Sequence, residues 1–266
     1  MLSPTAYLGD FPAAMTTGDY NGDGDMDIVV SQPGVDHGQL DDPACLGTGR
    51  AGEVYVYAGG PSLIGSIPGP DTAPAQLMHL LRYTCSASGF GKVLSTIPRP
   101  RPGDNADWLY AKAGSAVGLI YKGSDAGGGI VPRDAMVDAR IYPVGGPSTD
   151  YLLDVRLWSG VAVTEFGGDL AVLGEMDGMP GVDIALAPQL VNAASNEVFI
   201  YSYSEVSDAS GETGLVRRAI LDGGPNLPDG YGYAVAGVSN YAGLGPQLVV
   251  STWLNSTYDG MLYLYR

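Results

Sequence analysis

Four stretches of this chain carry the same punctuation, and no other feature restricts its fold as much. An aromatic residue, three times followed by glycine, leads each stretch: Phe11, Phe90, Phe166 and Tyr231. A short apolar run opens 16, 17, 17 and 16 positions later, at Asp27, Asp107, Asp183 and Gln247. A second run closes each unit: Val54-Tyr55-Val56-Tyr57, Gly118-Leu119-Ile120-Tyr121, Val198-Phe199-Ile200-Tyr201 and Leu262-Tyr263-Leu264-Tyr265. Three of only four phenylalanines stand at the leading position. Self-similarity of this kind marks a repeated supersecondary unit, and leaders 79, 76 and 65 residues apart leave room for about four short strands per unit.

The runs are short, rich in β-branched and aromatic residues, and bounded by glycine, which predicts strands. Ile28-Val29-Val30 and Leu248-Val249-Val250 are unbroken apolar runs, the pattern of strands covered on both faces. Ala75 to Tyr83 is ambiguous. Its Leu77, Met78, Leu80 and Leu81 suit a short helix, while its place in the repeat suits an outer strand. With Gly 40 and Pro 19 among 266 residues, tight turns are frequent and long helices disfavoured. A hydrophobic share of 45% excludes a disordered chain, and no stretch approaches the roughly 18 apolar residues of a membrane helix. Repeated four-stranded sheets whose apolar faces need neighbours on both sides predict an all-β chain packed radially, as in a β-propeller.

The Phe-Gly leaders, the loop Gly18-Asp19-Tyr20-Asn21-Gly22-Asp23-Gly24, the run Asp27-Ile28-Val29-Val30 and the closing Gly52-Glu53-Val54-Tyr55-Val56-Tyr57 resemble FG-GAP repeats of integrin alpha subunits and of related bacterial and lectin propellers. The first unit is the closest match and the third a partial one; the second and fourth keep the strand skeleton. The resemblance covers nearly the whole chain. It implies a single domain, 1–266, of four blades at about 9–83, 84–160, 161–225 and 226–266, with 1–8 completing the last. The blades either close a four-bladed ring or form part of a larger one. The long gap after Tyr121 predicts an inserted hairpin near 139–157.

Between the first two runs, Asp19, Asn21, Asp23, Asp25 and Asp27 fall at alternate positions. Hard cations such as calcium take six to eight oxygen ligands, and so many aspartates repel one another without a cation among them. An EF-hand would place Glu where this chain has Val30, so the resemblance implies instead the β-hairpin calcium loop of FG-GAP repeats. Magnesium, which favours rigid octahedral geometry, suits the loop less well. The third unit offers a weaker second site, Glu175, Asp177 and Asp183, with Met179 in the place of Asp23. The second puts Arg99 and Arg101 at ligand positions, where a guanidinium would replace the ion. The fourth has Ser239, Tyr241 and Gly243, and no site. A metal ligated wholly by protein is structural and leaves no open position for catalysis.

Cys45 and Cys85 are the only cysteines. In a propeller their connections emerge on one face, which makes them a disulfide candidate for an oxidising compartment; two buried free thiols are the alternative. The resemblance places a ligand face on the loops 31–51 and 251–258, which nominates Asp36, His37, Asp41, Asp42 and Trp253, the last able to stack on a sugar. With two histidines, His37 and His79, no catalytic triad assembles. Asn255-Ser256-Thr257 fits a glycosylation acceptor. A net charge of −16 with three lysines disfavours nucleic acid and anionic lipid as partners. Met1-Leu2-Ser3-Pro4 does not begin a signal peptide. The expectation is therefore a non-catalytic, calcium-stabilised extracellular propeller. It would serve adhesion, protein binding or assembly, taking a protein or glycan ligand or associating with itself through blade edges. The alternatives are a lectin-like propeller or the accessory domain of a polysaccharide-degrading enzyme.

Overall fold

The computed structural model describes residues 12–33, 52–61, 77–82, 90–100, 103–113, 117–121, 123, 153–158, 168–178, 180–187, 197–204, 214–222, 230–239, 241–252 and 260–266. Within them the chain is all-β, with four antiparallel sheets and, beyond a 3-10 turn at Tyr241–Gly243, no helix. The first sheet has the order β1 (Met15–Gly18), β2 (Asp27–Gln32), β3 (Glu53–Tyr57), β4 (Leu77–Arg82). The second runs β5 (Leu94–Ile97), β6 (Trp108–Ala113), β7 (Val117–Tyr121), β8 (Leu153–Trp158). The third is β9 (Asp169–Gly174), β10 (Asp183–Ala187), β11 (Glu197–Ser204), β12 (Gly214–Asp222). The fourth has three strands, β13 (Val235–Val238), β14 (Gln247–Thr252) and β15 (Met261–Tyr265). No helix among the described residues is long and apolar enough to cross a membrane.

Two expectations resolve here. Leu77–Arg82 is the outer strand of the first sheet, paired antiparallel with β3, and not a helix. A bulge between Val56 and Tyr57 shifts the register, which is how a helix-like apolar spacing is accommodated in a strand. Leu153–Trp158, expected within an inserted hairpin, is instead the outer strand of the second sheet.

The chain divides into two compact units, one of residues 1–98, 104–114 and 119–154, the other of 99–103, 115–118 and 155–266. In the first unit, β2 and β3 are buried along almost their whole length, as their unbroken apolar runs require. Val29, Val54 and Val56 are fully enclosed; burying such a side chain contributes about 1.5–3 kcal/mol. Phe90, Trp108, Leu109 and Tyr110 are equally enclosed around the second sheet. In the second unit Leu173, Ala185, Ala187, Val198, Tyr231, Leu248 and Val250 form one cluster.

The repeated punctuation has a repeated cause. Phe90 and Tyr231 are both fully buried, and the glycines after them turn at φ 81° and 80°, a conformation L-residues rarely adopt. Each ring meets the third strand of its own sheet edge-on: Phe90 against Tyr121 at 6.5 Å, Tyr231 against Tyr263 at 5.7 Å. The leader is thus a plug that enters the core, and glycine lets the backbone leave again. Ser31 and Ser251 also share a position, each accepting the N–H of an alanine before the first strand, from Ala14 at 3.2 Å and from Ala234 at 2.9 Å.

Within each unit the sheets meet through their first strands. In the first unit β1 packs against β5, where Thr96 Oγ1 donates to the Thr17 carbonyl at 2.7 Å. In the second, β13 packs against β9, and the Val235 N–H donates to Asp169 Oδ2 at 2.9 Å. Gly237 makes that approach feasible, since a Cβ there would sit 1.8 Å from the Val172 carbonyl oxygen. β15 is the last strand of its sheet, and Met261, Leu262 and Leu264 are 43%, 75% and 51% exposed.

Candidate functional site

The hairpin between β1 and β2 is built by its own side chains. Asp19 Oδ1 accepts the Asp23 N–H and Asp19 Oδ2 the Gly24 N–H, each at 3.1 Å. Asn21 Oδ1 accepts the Asp23 N–H at 2.9 Å, and Asp23 Oδ1 that of Asp25 at 2.8 Å. Short Asx side chains bonding the backbone a few residues on are what make such residues turn formers. Gly22 and Gly24, at φ 72° and 89°, supply the left-handed steps. The Asn21 amide also donates to Asp23 Oδ2 at 2.8 Å and to the Met78 sulfur at 3.6 Å. Asp19 and Asn21 are buried, whereas Asp23 and Asp25 are exposed.

Asp27 closes the hairpin from beneath. It is fully buried, and its two oxygens accept the Tyr20 and Gly59 N–H groups, both at 2.8 Å. Burial pushes its carboxyl up to about 6; the two N–H donors pull the other way, and the charges of Asp23 and Asp19 add to the rise. Burial likewise raises the Tyr20 hydroxyl above its ordinary value, so it stays protonated and bonds Thr96 Oγ1 at 2.6 Å.

The hairpin is also tied to the second sheet. The Asp107 N–H donates to the Asp19 carbonyl at 2.7 Å, and Asp107 Oδ2 accepts the Asp19 N–H at 2.9 Å. Asp107 stands at the repeat position of Asp27, so the sequence marked the residue; nothing in the spacing marked its partner in another sheet.

The third hairpin keeps the bracket and little else. Asp183, only 2% exposed, accepts the N–H groups of Met176 at 2.6 Å and Asp177 at 3.2 Å through Oδ2. Asp177 lies 3.8 Å from Arg218 Nε, and Glu175 is exposed. In the second hairpin Arg99 is exposed with φ 38°. In the fourth, Tyr241–Gly243 forms the 3-10 turn, with Ala242 left-handed at φ 58°. Cys45, Cys85, Asp36, His37, Asp41, Asp42, Trp253, Arg101 and Met179 lie outside the described residues.

Among the described residues no three His, Cys, Asp or Glu side chains gather into a ready metal-holding group. The first hairpin does present an all-oxygen donor set, the chemistry a hard cation selects. It also shows mutual carboxylate pressure, since Asp19 and Asp23 both raise Asp27. Carboxylate oxygens that accept one N–H retain further acceptor capacity, so the set fits calcium in its chemistry.

Residues 11–57 match the model of the FG-GAP repeat. That span runs from the Phe11 leader through the acidic hairpin to the end of β3, and FG-GAP repeats are typically non-catalytic binding modules of a β-propeller type. No curated protein matches the chain.

Proposed function

We propose that the chain is a calcium-stabilised, non-catalytic propeller that works outside the cell in adhesion, protein binding or assembly, through loops on one face. The observation that carries this is the coincidence of the FG-GAP match with the hairpin of Asp19, Asn21, Asp23, Asp25 and Asp27. Bound calcium would neutralise the hairpin's carboxylates and nothing more. Asp19 and Asp23 would hold it, being already near enough to Asp27 to raise its carboxyl, with Asn21 and Asp25 completing the oxygen set. Asp27, whose oxygens accept the Tyr20 and Gly59 N–H groups, would hold the turn's backbone beneath the ion.

An affinity argument supports the extracellular reading. An exposed hairpin with two of its acidic groups in solvent resembles the weaker calcium modules, which bind at about 10⁻⁴–10⁻³ M and fill where calcium is millimolar. The four repeat units support a propeller, either closed by residues 1–8 or part of a larger ring. Calcium titration by calorimetry tests the reading: saturable binding abolished by Asp23→Ala supports it, and a chain indifferent to millimolar calcium refutes it. Light scattering with and without calcium separates a closed monomer from a ring completed by further copies.

A further inference from the structure

We propose that Asp107, carried by the second sheet, is a positioning residue that sets the calcium affinity of the first sheet's hairpin; this rests on the calcium reading above. Asp107 holds both backbone polar groups of Asp19, donating to its carbonyl at 2.7 Å and accepting its N–H at 2.9 Å. The Asp19 carboxylate in turn fixes the N–H groups of Asp23 and Gly24. A continuous line of bonds therefore runs from the start of β6 to the tip of the hairpin. Asp107 is 8% exposed, so water offers its bonds little competition.

The approach is close enough to demand glycine on both sides. A Cβ at Gly18 would lie 3.0 Å from Asp107 Oδ2 and 2.7 Å from Thr96 Cγ2. One at Gly123 would lie 2.3 Å from the Asp107 carbonyl oxygen and 2.7 Å from that of Tyr20. The Tyr20–Thr96 hydroxyl pair, at 2.6 Å, is a second tie across the same seam. Residues 19 and 20 are thus fastened to the neighbouring sheet before any ion arrives.

A donor group whose backbone is already fixed surrenders less freedom on binding, so its affinity is higher. Coupling is reciprocal: if the seam strengthens ion binding, the ion strengthens the seam. The acidic hairpin then reports on, and reinforces, the contact between two sheets and not the first sheet alone.

The test uses the full chain. Calcium titration by calorimetry is run on the wild type, Asp107→Ala and Asp107→Asn, and hydrogen exchange is followed over residues 12–33 and 103–113 with and without calcium. Asp107→Ala is expected to weaken calcium about tenfold, and Asp107→Asn, which keeps an acceptor for the Asp19 N–H, to restore most of it. In the wild type, calcium is expected to slow exchange in both segments. Unchanged affinity in Asp107→Ala overturns the positioning role and leaves the calcium reading standing. Equal losses in Ala and Asn assign the effect to charge and overturn it too. Should Asp107→Ala fail to fold, the wild-type exchange decides alone, because protection confined to residues 12–33 overturns the proposal. A wild type that takes up no calcium overturns both readings together.

Discussion

The first and third hairpins occupy the same place in their sheets and differ in what they keep. Both have a buried aspartate opening the second strand: Asp27 accepts the N–H groups of Tyr20 in the turn and Gly59 beyond β3, and Asp183 those of Met176 and Asp177 in the turn. The first adds a tip in which Asp19, Asn21 and Asp23 accept backbone amides and a side-chain tie from Asp107 of the neighbouring sheet. In the third, Asp177 turns toward Arg218 and Glu175 faces solvent. The bracket belongs to the fold and the acidic tip does not. A repeat can lose its acidic tip and remain a sheet, because a buried aspartate and two N–H donors are enough to close the turn.

The sharpest way to break this comparison is to remove the brackets. Asp27→Ala strands two N–H groups, at a cost of about 1–3 kcal/mol each, so urea unfolding should show a loss of about 3 kcal/mol, and Asp183→Ala a loss of similar size. If either substitution is neutral, the bracket is not what the two hairpins share. Next in size is calcium itself. At a hundredfold excess over the dissociation constant a single site adds about 2.7 kcal/mol. Thermal unfolding should show that gain in the wild type and in Asp177→Ala, and its absence in Asp23→Ala.

A smaller effect comes with pH. The Asp27 carboxyl sits at about 6 in the fold against 3.8 ordinarily, so the folded chain binds this proton more tightly than the unfolded one. Its contribution is full below about 4, fades as pH rises through about 6 and is gone above it. In chelator the melting temperature should therefore rise from pH 7 to pH 5, and Asp27→Asn should flatten that rise. In saturating calcium the slope should weaken or invert, since a cation held by Asp19 and Asp23 would favour the ionised Asp27 carboxyl. Smallest of all is Arg218→Ala. Its partly exposed pairing with Asp177 predicts a loss under about 0.5 kcal/mol, measurable only by a double-mutant cycle.

Much of the strand order was legible because a β-strand declares itself locally. The runs at Val54–Tyr57 and Leu262–Tyr265, and the enclosed Val29 and Val250, lie where β-prone composition and apolar continuity placed them. The leaders were legible as a recurrence, and the buried Phe90 and Tyr231 supply its reason. Leu77–Arg82 was not, since a bulge in its pairing erases the period that separates strand from helix. Nor was the Asp19–Asp107 tie, which joins residues 88 apart in sequence and leaves no trace in the spacing of either. Asp177 holds a ligand position in the repeat, and its approach to Arg218, on a strand two places across the sheet from the hairpin's second strand, leaves no trace in that spacing.

The outer rail of β15, which carries no further strand among the described residues, also matters for handling the protein. A terminal strand whose exposed side chains are Met261, Leu262 and Leu264 is a template on which another molecule can lay down a strand. A net charge of −16 makes such molecules repel one another in dilute buffer. Concentrated salt collapses the range of that repulsion to about 3 Å, so high-salt purification should foster clumping, and low ionic strength should prevent it.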